Sequence, residues 1–171
     1  MTNILIKVSQ TCDAISEWAG KLISWFIGVL ILILTYEVIS RFLFNRNVPW
    51  AMDVSYMLGG SAIIIGAAWA LKNRQHVRVD TFYDRFPPKM KAIIDIVFVL
   101  LLFFPLIIFG LMNSFDAALL SWQRNEHIMT GNWQPPIYPL KSAIPIAFFL
   151  LLIQGISELC KSILQLTGKE E

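Results

Sequence analysis

The sequence predicts an all-α integral membrane protein, a single domain over residues 1–171 with four transmembrane helices, both termini cytoplasmic, and an N-terminal interfacial helix. Three observations carry this reading. First, 56% of the 171 residues are hydrophobic and only 15% are charged, with a mean hydropathy of +0.61, so lipid is the solvent for most of the chain. Second, four apolar segments, about 22–40, 50–71, 92–120 and 143–164, each supply the roughly 20 residues that a helix needs to cross a bilayer core about 30 Å thick. Third, with the N-terminus inside, ten of the 14 Lys and Arg fall on the cytoplasmic side, leaving only Arg41, Arg46, Arg124 and Lys141 outside, as the positive-inside rule requires.

Taken in order, residues 1–21 place Ile4, Leu5, Val8, Cys12, Ile15 and Trp18 at helical spacing, with Lys7, Gln10, Asp13 and Glu17 on other faces. That pattern suits a helix lying at the interface and leading into the first span. Acidic Asp13 and Glu17 precede the apolar run and no small-residue cleavage pattern follows it, so the segment reads as a retained helix and not a signal peptide. Cys12 and Cys160 both fall near the reducing side, where they are expected to stay unpaired as small apolar side chains.

The first span is continuous Leu/Ile/Val until Glu37, one helical turn before Arg41. A carboxylate at the bilayer centre would cost about 2.5–3.5 kcal/mol, and less near the interface where this one lies, so Glu37 is expected to have a partner. Either a local ion pair with Arg41 or a contact with another subunit meets that need. In the outer turn "NRNVPW", Asn45 and Asn47 suit turn conformations and Pro49 can open the next helix, while Asp53 is expected in its first turn, complementing the dipole.

The second span carries Ser55, Gly59, Ala62, Gly66 and Ala70 on one face. In lipid, small residues in a stripe let another helix approach closely, so this reads as a docking face, for this bundle or for a partner. The loop "LKNRQHVRVDTFYDRFPPKMK" is basic and ends in Pro87 and Pro88; anchoring to lipid explains its charge, but His76, Arg78 and Asp80 are more specific than anchoring needs. The third span with its flanks covers about 46 Å at 1.5 Å per residue and must tilt, kink or protrude, with Pro105 as the kink site and Asp95 as a helix-dipole residue in its first turn. The outer loop is rich in Trp and Pro: Trp122, Trp133 and Tyr138 suit an interfacial belt, and Pro135, Pro136 and Pro139 stiffen "NWQPPIYPLK". In the fourth span Gln154 is expected to hydrogen-bond between helices.

Several function classes are disfavoured. Ser, His and acidic residues are scattered and form no recognisable catalytic set, so no enzyme activity is expected. Gly59-Gly60 has neither the preceding strand nor the following Lys-Ser/Thr of a phosphate loop. No Cys/His spacing suits a metal, and His76 and His127 fall on opposite sides of the membrane, so no metal, cofactor or nucleic-acid partner is expected.

At "YEVISRFLFNRNVPW", the acidic Asp53 after the Trp, the second span with "GAAWAL", and "HVRVDTFYDRF", the chain resembles the small membrane subunit, the DctQ type, of tripartite ATP-independent periplasmic (TRAP) transporters. These motifs cover about fifty residues, and the four-span layout covers the rest. Where family members often have Glu after the Trp, this chain has Asp53, which keeps the charge and shortens the reach. The resemblance implies a small, non-catalytic scaffold subunit in a bacterial inner membrane. Its partners would be a large membrane subunit, which moves an organic acid-type solute using a Na⁺ or H⁺ gradient, and a periplasmic substrate-binding protein. A C-terminus after "TGKEE" suggests that the large subunit is a separate chain.

On that reading, Glu37, Arg41 and Asp53 would dock the large subunit at the outer edge, Ser55, Gly59, Ala62, Gly66 and Ala70 along the span, and His76, Arg78 and Asp80 at the cytoplasmic edge. Trp133, Pro135, Pro136, Tyr138 and Lys141 would form a periplasmic contact loop. No span shows the ion-coordinating broken helices or the repeat pairs of a self-sufficient transporter. Two alternatives stay open: the membrane anchor of a redox complex, disfavoured by the lack of His within the spans, and a small exporter of identical subunits, disfavoured because Glu37 lies far from mid-span.

Overall fold

The computed structural model describes residues 2–73, 87–128 and 133–167. Four rods in it are long and apolar enough to cross a membrane, Leu5–Phe44, Pro49–Lys72, Met90–Gln123 and Tyr138–Leu166. The all-α architecture with four spanning helices is therefore as the sequence predicts.

Helix α1 runs unbroken over Thr2–Phe44, 43 residues or about 65 Å. This is twice the thickness of a bilayer core. The lead-in segment and the first span are one helix, because Gly20 stays helical and no Pro interrupts it. It ends where Asn45 adopts a left-handed conformation (φ 51°), a region that Asn visits at little cost, and the Arg46 N–H turns back to the Ser40 carbonyl at 3.2 Å. Helix α2, Pro49–Lys72, opens with Pro at its first position as expected. Asp53 is then its fifth residue, not a member of the first turn; its N–H lies beyond the four unsatisfied donors, and the dipole role is weakened accordingly.

The third rod is α3, Pro88–Phe98, a π-helical stretch, Val99–Phe103, and α4, Phe104–Gln123. Helix α3 begins earlier than the apolar pattern suggests, so Asp95 is its eighth residue and not a first-turn residue. Disruption around Pro105 is as expected, and takes the form of a widened turn. Pro105 has no N–H for the Leu101 carbonyl and its ring crowds that group, and the Phe104 N–H reaches back to the Val99 carbonyl instead. Helix α4 ends in a Schellman motif, with Asn125 at φ 47°, Glu126 N–H on the Ser121 carbonyl at 3.1 Å and Asn125 N–H on the Trp122 carbonyl at 3.3 Å. Helix α5 is Tyr138–Leu166, with Pro145 buried inside it.

Side-chain contacts fix the arrangement. Tyr36 stacks on Trp50 at 6.1 Å and Glu17 pairs with Lys72, so α1 and α2 are antiparallel. The first half of α1 runs past the end of α2 and packs antiparallel on the last part of α5, where Ser9 meets Ser157 and Ser16 meets Gln154. Phe103 and Phe148 lie over Gly155 and Gly110, where a Cβ would come within 2.5 and 2.6 Å of the rings, so only Gly permits the close approach of α5 to the third rod. The interior is small and polar: Ala51, Ala68, Ala92 and Ala147 are fully buried, as are Ser16, Ser121, Gln154 and Ser157. Large apolar side chains such as Trp25, Phe42, Ile63 and Leu101 point outward, the reverse of a water-soluble core and the expected result where lipid is the solvent.

Candidate docking surfaces and buried polar contacts

A polar cluster joins the two ends of the chain. On α1, Ser9, Asp13 and Ser16 follow at spacings of four and three; on α5, Gln154, Ser157, Glu158 and Lys161 follow at three, one and three, so each set lies on one helical face. Gln154 is completely buried, accepts from Ser16 Oγ at 2.6 Å and donates through Nε2 to Asp13 Oδ1 at 3.0 Å. Ser157 donates to the same carboxylate at 2.7 Å, and the Ser9 hydroxyl lies 3.0 Å from Ser157 Oγ. Lys161 closes the set, 2.9 Å from Asp13 Oδ2 and 2.9 Å from Glu158 Oε1. The expectation that Gln154 bonds between helices is met, and its acceptor is a charge. Beside the cluster, Glu17 holds Lys72 at 2.8 Å and Lys21 at 3.1 Å. Cys12 and Cys160 are unpaired.

The pairing of Asp13 with Lys161 is not legible in the sequence because each, alone, is an ordinary charge near a helix end. The available signal was the matching Ser/Asp/Ser and Gln/Ser/Glu/Lys faces, and nothing local says that residues more than 140 positions apart will meet.

At the other end of the α1–α2 hairpin, Glu37 is 7% exposed and its carboxylate is held by Arg41, the local ion pair that the sequence allowed. The Arg41 side chain remains about half exposed. Asp53 is half-buried and bonds to no described residue. Of the small-residue stripe, Ala62 is buried while Ser55, Gly59, Gly66 and Ala70 are only partly covered. A Cβ on Gly59 would touch Leu30 at an ordinary 3.4 Å, and one on Gly66 would meet nothing within 4 Å. The stripe therefore lies at the margin of the face that α2 packs internally, and part of it is open. His76, Arg78 and Asp80 lie outside the described residues.

The loop between α4 and α5 is clamped at its base. The chain pairs His127 with Pro136, Ile128 N–H reaches the Pro135 carbonyl at 2.9 Å, and Ile137 N–H reaches the Glu126 carbonyl at 2.9 Å. Tyr138 packs on Trp122 with ring centroids 4.3 Å apart, Trp122 Nε1 donates to Ser142 Oγ at 2.8 Å, and Lys141 pairs with Glu126. The Lys141 ammonium holds the Glu126 carboxyl below the usual range. Of the expected contact loop, Pro135 is buried, Pro136 is half-buried, and Tyr138 and Lys141 are committed to this clasp; Trp133 stays 47% exposed. Sequence reasoning missed Glu126, which only folding brings to Lys141.

The fold and these contacts define a multi-span membrane protein in which Asp13 and Glu17 join one helix to another through Lys161 and Lys72. A family model described as "Tripartite ATP-independent periplasmic transporters, DctQ component" matches residues 30–165. The chain belongs to that family, and is a multi-pass protein of the bacterial inner membrane. It is similar to the "C4-dicarboxylate TRAP transporter small permease protein DctQ" of Vibrio cholerae serotype O1 (strain ATCC 39315 / El Tor Inaba N16961), 30% identical over 91 residues. That match covers 53% of this chain but only 38% of the length of the relative.

Proposed function

We propose that the chain is the small, non-catalytic scaffold subunit of a secondary TRAP transporter. It would bind a large membrane subunit that imports an organic acid-type solute with a Na⁺ or H⁺ gradient, the solute being delivered by a periplasmic binding protein. The observation that carries this reading is the family match over residues 30–165. It is supported by the use of charge in the bundle: Asp13, Glu17, Glu37 and Glu126 are all paired with Lys or Arg. Asp13 and Glu17 lock one helix to another, Glu37 pairs within its own helix and Glu126 clasps the outer loop, so these four carboxylates are engaged in structure and not free for a solute or a coupling ion. The chain needs no cofactor on this reading, since the gradient acts on the large subunit.

The docking face includes Asp53, which has no described partner in the chain, the open part of the stripe around Gly66, and the exposed side of Arg41. Among the described residues of the expected contact loop, Trp133 stays exposed and is free to meet the binding protein. The test is a mild-detergent pull-down of the tagged chain from its native membrane, followed by uptake in vesicles holding the recovered proteins. A stoichiometric large polytopic protein, and uptake of a carboxylate only with all three components and an ion gradient, are expected. Recovery with a soluble flavin or iron–sulfur protein instead would overturn the reading in favour of a redox anchor.

A further inference from the structure

A pocket of about 390 Å³ opens between α1 and the C-terminal end of α2, lined by Glu17, Gly20, Lys21, Ser24, Trp69, Lys72 and Asn73. Its construction is specific. Glu17, Gly20, Lys21 and Ser24 share one face of α1 by their spacing, and Trp69 and Lys72 lie one turn apart on α2. The Trp69 indole lies against Gly20, where a Cβ would fall 2.4 Å from Cδ1, so the ring reaches this position only because residue 20 is Gly. Lys21 and Lys72 both point at Glu17, at 3.1 and 2.8 Å, so two ammonium groups meet one carboxylate and the pocket carries an excess positive charge. Lys72 is largely sequestered, with 19% of its side chain exposed, whereas Lys21 is 75% exposed. An exposed pair such as Lys21–Glu17 holds its geometry weakly, which leaves that ammonium available to a second anion.

The surroundings indicate what kind of anion. The site sits at the end of a spanning helix, beside a Trp that is 41% exposed. Along the same stripe of α1, one turn beyond Ser24, Gly28 is exposed with nothing within 4 Å of where a Cβ would be, and Trp25 stands beside it, 78% exposed. A charged pocket thus continues into an open apolar track running toward the middle of the span. We infer that this pocket binds the phosphate headgroup of an anionic phospholipid, with Lys21 and Lys72 on the phosphodiester and one acyl chain lying along Gly28 and Trp25. Basic pockets between helices at a membrane surface recognise anionic headgroups in this way. The negative end of the α2 dipole also lies here, so the attraction depends on the two lysines and not on the helix end. The inference needs only that the chain spans a membrane, and stands apart from the transporter reading.

The test is native mass spectrometry of the purified chain, titrated separately with phosphatidylglycerol and phosphatidylcholine of the same acyl composition, and with phosphatidylglycerol against added inorganic phosphate. One phosphatidylglycerol should be retained in preference to phosphatidylcholine. Lys21→Gln and Lys72→Gln should each weaken it about fivefold, in line with the contribution of one lysine near an anionic surface. Lys21→Gln leaves the Glu17–Lys72 pair in place, so it reports on binding even where Lys72→Gln impairs folding. Equal retention of the two lipids, or unchanged phosphatidylglycerol binding in Lys21→Gln, would overturn the assignment. Displacement by millimolar inorganic phosphate would overturn the lipid part and leave a site for free phosphate.

Discussion

Asp13 accepts from Gln154, Ser157 and Lys161 at once, which makes it the residue on which the contact between the chain ends depends. Asp13→Ala removes the shared acceptor and leaves the buried Gln154 amide without its partner. Hydrogen bonds to a charged group contribute about 1.5–3 kcal/mol each when intact, so a loss of about 1–3 kcal/mol is expected in thermal unfolding in detergent. Asp13→Asn keeps an acceptor for Gln154 and Ser157 but not the charge for Lys161, and its loss should be smaller. Equal effects of the two substitutions would show that the charge is all that matters. At the other clasp, Lys141 lowers the pKa of Glu126 in the folded state. The resulting stabilisation is complete above the ordinary glutamate pKa and is lost as the pH falls through the lowered folded-state value, where the carboxylate protonates. Unfolding midpoints measured down through acid pH should therefore converge for the parent and Lys141→Gln, with the gap between them largest near neutrality.

Between helices, the glycines divide by what lies above them. Gly155 and Gly110 are covered by aromatic rings, and Gly66 is open. Gly155→Leu should force Phe103 off the α5 backbone and cost about 1–3 kcal/mol or more, as overpacking does. Gly66→Leu should leave the stability of the isolated chain nearly unchanged and, if the stripe docks a partner, lower recovery of the large subunit. Unchanged recovery with Gly66→Leu would exclude this part of α2 from the interface. The stripe was legible in the sequence as spacing, and its placement was not. Periodicity says which residues share a face, but whether that face meets α1, α5 or nothing depends on how the other helices cross.

For the whole assembly, Asp53 offers the cleaner test of docking. Arg41→Glu would set a second carboxylate one turn from buried Glu37 and damage the hairpin itself. Asp53 has no described partner to lose, so Asp53→Lys should spare the stability of the chain while reducing co-purification with the large subunit and solute uptake in parallel. Full complex yield and full uptake in Asp53→Lys would remove Asp53 from the docking surface.

The amino-acid sequence by itself determined the solvent of this protein and hence its class. Apolar runs long enough to span a bilayer must become helices, since no other open structure satisfies the backbone in lipid. It also determined local events with local causes: the helix start at Pro49, the turn at Asn45 and the disruption before Pro105. Only the tertiary structure decided that α1 runs unbroken past the end of α2 to meet α5, that Asp13 meets Gln154 and Lys161, and that Trp69 settles on Gly20. Such contacts join residues distant in the chain, and their free energy comes from close packing and shared hydrogen bonds that exist only once the helices have crossed.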